Sequence, residues 1–171
     1  MNYINKYKTL NFKKHKNNII NLIFKIPQTT KKDKIENIFH TDWEIPSTMK
    51  REYLEYFYEN ILKDFLNDFK LKNKFKEVEV THLWFQVYAK GDFHGLHTHP
   101  NANFTNVFYL QLPSVSEKTN IIDEDIDITE GDILSFPAFL KHESPINKSE
   151  EYKIIISFNT NVYTEGNYGN N

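Results

Sequence analysis

From residue 78 onward the sequence is cut into short alternating runs, each closed by a turn residue or a proline. Residues 78–88 alternate with a period of two, which places Val80, His82, Trp84, Gln86 and Tyr88 on one face of a strand. Lys90-Gly91-Asp92 reads as a turn, and residues 105–112 as a strand ended by Pro113. Residues 119–122 and 126–128 read as two short strands joined by the acidic turn Asp123-Glu124-Asp125. Glu130-Gly131-Asp132 is a further turn before a strand over 133–136, stopped by Pro137, and residues 152–159 form the last strong strand. Many short strands at regular spacing predict a sandwich or a closed double sheet.

The first half has a different texture. Residues 18–26 are apolar and β-branched, and read as a strand or a short strand–helix hybrid ended by Pro27. Residues 31–39 predict a short helix, and residues 40–46 a loop or edge segment carrying Trp43. A long helix follows, with Ser47 or Thr48 as its cap. Tyr53, Leu54, Phe57, Tyr58, Ile61, Leu62, Phe65, Leu66 and Phe69 recur at i, i+1, i+4, i+5 and make one broad apolar stripe. Such a stripe packs against a sheet of its own domain. The expected fold is α+β, mainly β, with N-terminal helices on one sheet. Its 171 residues suit one domain: 1–77 as a helical support region, 78–163 as the β core and 164–171 as a frayed Gly/Asn-rich tail.

Composition narrows the chemistry. The chain has no cysteine, which excludes disulfides, thiolate metal sites and a cysteine nucleophile. A formal net charge of −2 gives no strong signal for nucleic acid. The charges are unevenly placed: residues 1–34 hold nine lysines against one acid, and residues 117–132 hold seven acids against one lysine. Two solvated faces attracting one another is the first reading, and a docking surface for an anionic partner the second. There is no signal-peptide core and no apolar run of membrane-spanning length, so a cytoplasmic protein is expected.

His97-Thr98-His99 is the stretch with chemical content. Two histidines two apart on an extended segment project to the same side. Pro100 then breaks the strand, which sets the pair at a sheet rim. His142, after a strand end and loop, is placed to bring a third imidazole. Taken singly, each is more often a surface or hydrogen-bonded histidine; three imidazoles together suit a borderline metal.

Trp84-Phe85-Gln86-Val87-Tyr88, the run from Gly91 to Pro100, Asn106-Val107-Phe108-Tyr109-Leu110, the run from Glu130 to Pro137 and Ile156-Ser157-Phe158-Asn159 occur in this order and spacing. In them the chain resembles the Fe(II)/2-oxoglutarate-dependent oxygenases, and among these a small phage-associated group with prolyl-hydroxylase-like motifs. The resemblance covers a little under half of the sequence. It implies a double-stranded β-helix (jelly-roll, cupin-like) core and one Fe(II) held by His97, His99 and His142, the catalytic centre. Most family members place Asp or Glu where this chain has His99; the phage-associated group carries His-x-His.

The resemblance also implies 2-oxoglutarate and O2 as cosubstrates, with succinate and CO2 released as a C–H bond is hydroxylated. Lys153 stands where a basic residue would meet the distal carboxylate of 2-oxoglutarate, and Tyr88 and Tyr109 match tyrosines that assist it. A hydroxyl common two residues further on is replaced by Ile155. Alternation on the last strand puts Lys153, Ile155, Ser157 and Asn159 on one face. Trp84, Gln86, His94 and Asn159 are candidates to line the substrate side. The substrate class stays open between a peptide side chain, a nucleobase and a small metabolite, and so does the oligomeric state, a homodimer included; a phage-encoded chain would work in the host cytoplasm. Two alternatives stand beside this reading: a three-histidine cupin-like dioxygenase without 2-oxoglutarate, and a catalytically inactive metal-binding module.

Overall fold

Two antiparallel sheets face each other, and a layer of helices covers the outer side of the larger one. The computed structural model describes residues 3–46, 48–114, 116, 118–122 and 124–165. In chain order it runs β1 (Asn5–Lys8), α1 (Phe12–Ile23), β2 (Lys31–Lys32), β3 (Glu36–Ile38), β4 (His40–Thr41), α2 (Glu52–Phe57), a π-helical turn (Tyr58–Leu62), α3 (Lys63–Asn73), β5 (Glu77–Tyr88), β6 (Phe93–His97), β7 (Phe104–Gln111), β8 (Asn120–Ile121), β9 (Asp132–Pro137), β10 (His142–Ser144) and β11 (Lys153–Tyr163). The larger sheet has the order β1-β9-β7-β11-β5-β4, and the smaller β2-β3-β6-β10-β8. This is the expected jelly-roll, mainly β, with helices on one sheet. No helix among the described residues is long and apolar enough to cross a membrane.

Alternation along the central strands builds two cores. Ile154, Ile156 and Phe158 of β11 point toward the helices, where they meet Phe57, Phe65 and Phe69. Ile155 points the other way, into a second core between the sheets with Tyr88, Val107, Tyr109 and Phe136. The larger sheet is therefore buried on both faces. The charge runs also meet. Lys16 pairs with Glu130 at 2.8 Å, Lys8 with Asp132 at 3.4 Å and Lys6 with Asp127 at 3.8 Å, beside the β1–β9 ladder.

Several elements differ from the sequence reading. The apolar run at 18–26 belongs largely to α1, because Ile19 and Ile23, four apart, are both fully buried against the larger sheet; burial of that stripe overrides β-branched propensity. Residues 31–39 form the β2–β3 hairpin and not a helix. The Asp33 carboxylate accepts the N–H groups of Ile35 (2.7 Å) and Glu36 (3.1 Å) and so closes the turn. The long helix begins at Glu52, after an extended Arg51 whose guanidinium is held by Asp42 at 3.1 Å. Thr48 lies in the turn before it and Ser47 outside the described residues. Tyr58, placed in the stripe by the sequence, turns outward at the π-helical turn. Residues 126–128 pair with no strand; the carbonyl of Ile126 is taken by the Lys118 ammonium and that of Asp127 by Lys6 at 2.8 Å. Asp123 of the acidic turn and residues 166–171 of the tail lie outside the described residues. The 1–77 region is not only helical, since β1 to β4 add strands to both sheets.

A bulge in β5 corrects one face assignment. His82 pairs with Asn159 but Val80 with Thr160, so Thr81 is the extra residue. Val78 and Val80 consequently face the helix layer with Leu83, while His82 and Trp84 stay on the other side.

The helix layer gives a direct test. Phe57 is fully buried and Tyr58 is 47% exposed. Phe57→Ala should cost about 3–5 kcal/mol in urea unfolding and Tyr58→Ala less than about 1 kcal/mol; equal losses would contradict the observed helix orientation.

Candidate metal centre

The site is built on the β6–β10 pairing, where His97 lies opposite His142 and His94 opposite Ser144. Between those pairs β6 spends one residue more than β10. Without that bulge, His94 and His97 would point to opposite faces. With it, their rings stack at 3.8 Å. Gly95 makes the bend possible. Its N–H donates to the Ile35 carbonyl at 2.6 Å, and a Cβ there would sit 2.8 Å from that oxygen. Its own carbonyl, 2.7 Å from Nδ1 of His97, accepts the ring proton.

His97, His99 and His142 each bring one ring nitrogen to within 4.8 Å of the others. Their ring centroids are 4.3–5.2 Å apart. The orientation is fixed from behind. Nδ1 of His142 donates to the Leu140 carbonyl at 2.9 Å, as Nδ1 of His97 does to Gly95, so Nε2 of both rings keeps a free lone pair. His99 follows the end of β6, its N–H donating to the Ala138 carbonyl at 2.9 Å, and its ring stacks on Trp84 at 5.7 Å. Asn159 hydrogen-bonds the same ring. Burial pushes His142 down to about 3 and His99 to about 4, and lowers His97. All three are thus neutral near pH 7, the state in which imidazole binds a metal. The donor set suits a borderline divalent ion.

Two neighbours stand apart from this trio. His94 lies 3.3 Å from Nε2 of Gln86 through Nδ1 and 3.4 Å from the Glu36 carboxylate through Nε2. Both of its nitrogens are engaged, and it forms a wall. The Asp92 carboxylate accepts from Asn37 and from the backbone N–H groups of Phe39 and Ala89, which ties β3 to the turn before β6. It serves the scaffold.

The "Putative 2OG-Fe(II) oxygenase" family matches residues 82–129, a segment that includes His97 and His99. Solved structures match across nearly the whole chain. A 2OG-Fe(II) oxygenase family oxidoreductase from Burkholderia pseudomallei superposes with TM-score 0.70 at 9% identity, over 93% of this chain and 84% of its own. A Pseudomonas putida prolyl-4-hydroxylase gives 0.62 at 14%, over 97% and 95%. The viral collagen prolyl hydroxylase of Paramecium bursaria Chlorella virus-1, in complex with 2OG, gives 0.59 at 17%, over 92% and 95%. The chain resembles the 2OG-Fe(II) oxygenases in motif and in fold. No curated protein sequence matches it. At these identities the structural likeness is one of fold.

In this jelly-roll the far end of the interior holds Lys153, which is fully buried. Its Nζ donates to Ser144 Oγ at 2.9 Å and lies 5.5 Å from the centre of the Tyr88 ring, its partner in the β5–β11 register. Tyr88 is buried, its hydroxyl beside Ser144 without a well-formed hydrogen bond. Tyr109 is buried too, but its hydroxyl accepts the Thr119 N–H at 3.1 Å. A void of about 20 Å³ runs between the histidines and Tyr88, room for about one water, so its lining must part to admit a diacid. On the outer side a cleft of about 310 Å³ is walled by Trp43, Trp84, Glu36, Gln86, His94 and Asn159. Four of these were expected from the sequence. Trp43 and Glu36 were not, nor was Ser144, although its spacing of two from His142 on a strand carried the signal.

Two predictions test the site. His94, His99 and His142 stay neutral in the folded chain down to about pH 3–4, whereas the unfolded chain protonates histidine near 6.5. The stability they contribute is complete above about pH 6.5 and drains away as the pH falls toward about 4. The melting temperature of the metal-free protein should drop steadily over that interval, and less so for His94→Gln; a flat profile would refute neutral burial. Gly95→Ala should cost about 1–3 kcal/mol in urea unfolding because the new methyl meets the Ile35 carbonyl.

Proposed function

We propose that the chain is an Fe(II)- and 2-oxoglutarate-dependent hydroxylase whose ion is held by His97, His99 and His142. The observation that carries this reading is the convergence of three neutral imidazoles within 4.8 Å, on the same side of the sheets as the buried amine of Lys153. Bound Fe(II) would supply activation of O2 coupled to decarboxylation of 2-oxoglutarate to succinate and CO2. The protein's own part is placement. The Gly95 and Leu140 carbonyls aim two Nε2 lone pairs, and Trp84 and Asn159 set the third ring. Three neutral ligands leave the ion its full +2, which favours a dianionic cosubstrate. Lys153 meets the distal carboxylate, with Tyr88 as a second donor. Tyr109 packs behind Tyr88 and has its hydroxyl engaged by Thr119, so its share is shape.

The cleft beside the ion takes the substrate. Trp43 and Trp84 meet edge to face at 4.5 Å and shield it from water on one side, while Gln86, Asn159 and the Glu36–His94 pair offer polar contacts on the other. Its size fits one peptide side chain, one nucleobase or a small metabolite. The names of two fold neighbours, both prolyl hydroxylases, support the first of these. A second reading, a three-histidine dioxygenase without 2-oxoglutarate, draws on the absence of a carboxylate among the three clustered ligands.

Anaerobic Fe(II) titration followed by succinate formation on admitting O2 separates the readings. One Fe(II) per chain is expected, lost in His97→Ala and His142→Ala. Lys153→Ala should keep iron and lower succinate formation at least about tenfold, since a charge-assisted contact is removed. Iron binding with succinate formation indifferent to Lys153 would support the second reading, and no stoichiometric iron would overturn both.

A further inference from the structure

The substrate cleft already holds an ammonium of the protein's own. Lys31 stands on β2, the two-residue edge strand of the smaller sheet, and its side chain lines the cleft. Its Nζ lies 3.0 Å from one oxygen of Glu36 and 4.0 Å from the Glu44 carboxylate. It also lies 5.5 Å from the centre of the Trp43 ring, within cation–π range. A carboxylate, a second one at longer range and an aromatic face are the groups that hold an alkylammonium.

The seat is firm and its present occupant is not. The Glu36 carboxylate is buried, and its other oxygen faces Nε2 of His94 at 3.4 Å. Nδ1 of that ring meets the Gln86 amide nitrogen at 3.3 Å, and the Gln86 carbonyl accepts the Ser157 hydroxyl at 3.3 Å. This row crosses from the smaller sheet to the larger and fixes Glu36 from behind. Lys31, by contrast, is a partly exposed side chain on four rotatable bonds, in an ion pair open to solvent, where such pairs are weak. Replacing one ammonium by another keeps the buried carboxylate paired.

The other polar groups of the inner wall are committed. Gln86 is taken by Ser157 and His94, Asn159 by Thr105 and the His99 ring, and the Thr41 hydroxyl donates to the Phe85 carbonyl. A nucleobase edge would have to break these bonds, and an anion would meet Glu36. A cation has only to take the place of Lys31.

We propose that the cleft selects a substrate bearing an alkylammonium group, the chemistry of a lysine side chain, which displaces Lys31 from Glu36 and Trp43. This rests on the reading of the cleft as the substrate site. With its charge held there, the substrate lays its carbon chain along Trp43 and Trp84 toward His97 and His99.

Both tryptophans of the chain line this cleft, so their fluorescence reports on it directly. The test is a fluorescence titration of the anaerobic protein loaded with Fe(II) and 2-oxoglutarate. The probes are the N-acetyl amides of lysine, norleucine and glutamate, with butylammonium as a free amine. The lysine amide and butylammonium should bind at least about tenfold tighter than the norleucine amide, and the glutamate amide weakest. Either cation binding the tighter supports the seat; the capped lysine would mark a peptide source and butylammonium a free amine. Lys31→Ala should tighten the lysine amide at least about threefold and leave the norleucine amide unchanged, because the competing ammonium is gone. Glu36→Gln should bring the two to within about threefold of each other. If that variant does not fold, Lys31→Ala, at a partly exposed edge position, decides alone. Equal affinity for the lysine and norleucine amides, preference for the glutamate amide, or no tightening in Lys31→Ala would overturn the inference. Stoichiometric iron and succinate formation without a cation preference would remove this inference alone. Absence of iron binding and succinate formation would remove the reading on which it rests.

Discussion

The pairing of β6 with β10 is the constraint on which the site depends. It puts His97 against His142, and the residue gained in β6 swings His94 onto the same side. The bend is possible because Gly95 lets the β3 backbone come within a hydrogen bond of it. The same peptide then anchors His97 through its carbonyl. One glycine thus links the hairpin, the strand register and the tautomer of a candidate ligand. None of these could shift alone, since each uses the same few backbone atoms.

The charge balance of the interior suits an anion. A His-x-carboxylate-type set would bring one negative charge to the ion; three imidazoles bring none. Burial keeps them neutral, and the amine of Lys153 is fully buried in the same interior. Placing an ammonium inside a protein is costly unless hydrogen bonds and opposite charge accompany it. Ser144 supplies one hydrogen bond and the Tyr88 ring a polarisable face. A dianion spanning from the ion to Lys153 would complement both ends. The three neutral imidazoles and the buried lysine would then act as two halves of one arrangement.

Much of this was legible in the sequence. Period-two alternation placed Lys153 with Ile155, Ser157 and Asn159, opposite Ile154, Ile156 and Phe158, and the structure has that division. The spacing of His97 and His99 and the position of His142 were enough to bring the three rings together. What escaped was set by tertiary contacts. Nothing local marks Thr81 as a bulge, so Val80 was assigned to the wrong face. His94 and His97 are three apart, which on a regular strand means opposite sides. Reading residues 31–39 as a helix hid Lys31 and Glu36, which reach the cleft only because an Asp33-closed turn folds them into a hairpin. The isoleucines of α1 looked β-prone because their helical use depends on a sheet lying beneath them.

The two sheets have unequal roles, and this follows from what covers them. The larger sheet has the helix layer on one side and the inner core on the other, so β7, β9 and β11 are buried along most of their length. It is the fixed reference, and from it come Lys153, Tyr88, Trp84 and Gln86. The smaller sheet is made of strands of two to five residues without a helix layer, and it carries His94, His97 and His142. Short strands with few ladder bonds are the part of such a fold best able to move. The void between the histidines and Tyr88 has room for about one water, so a diacid there would require this sheet to give way. Direct side-chain ties hold the two sheets in register across the interior, Ser144 with Lys153 and Gln86 with His94. An ion on the three histidines and a diacid on Lys153 would add to those ties.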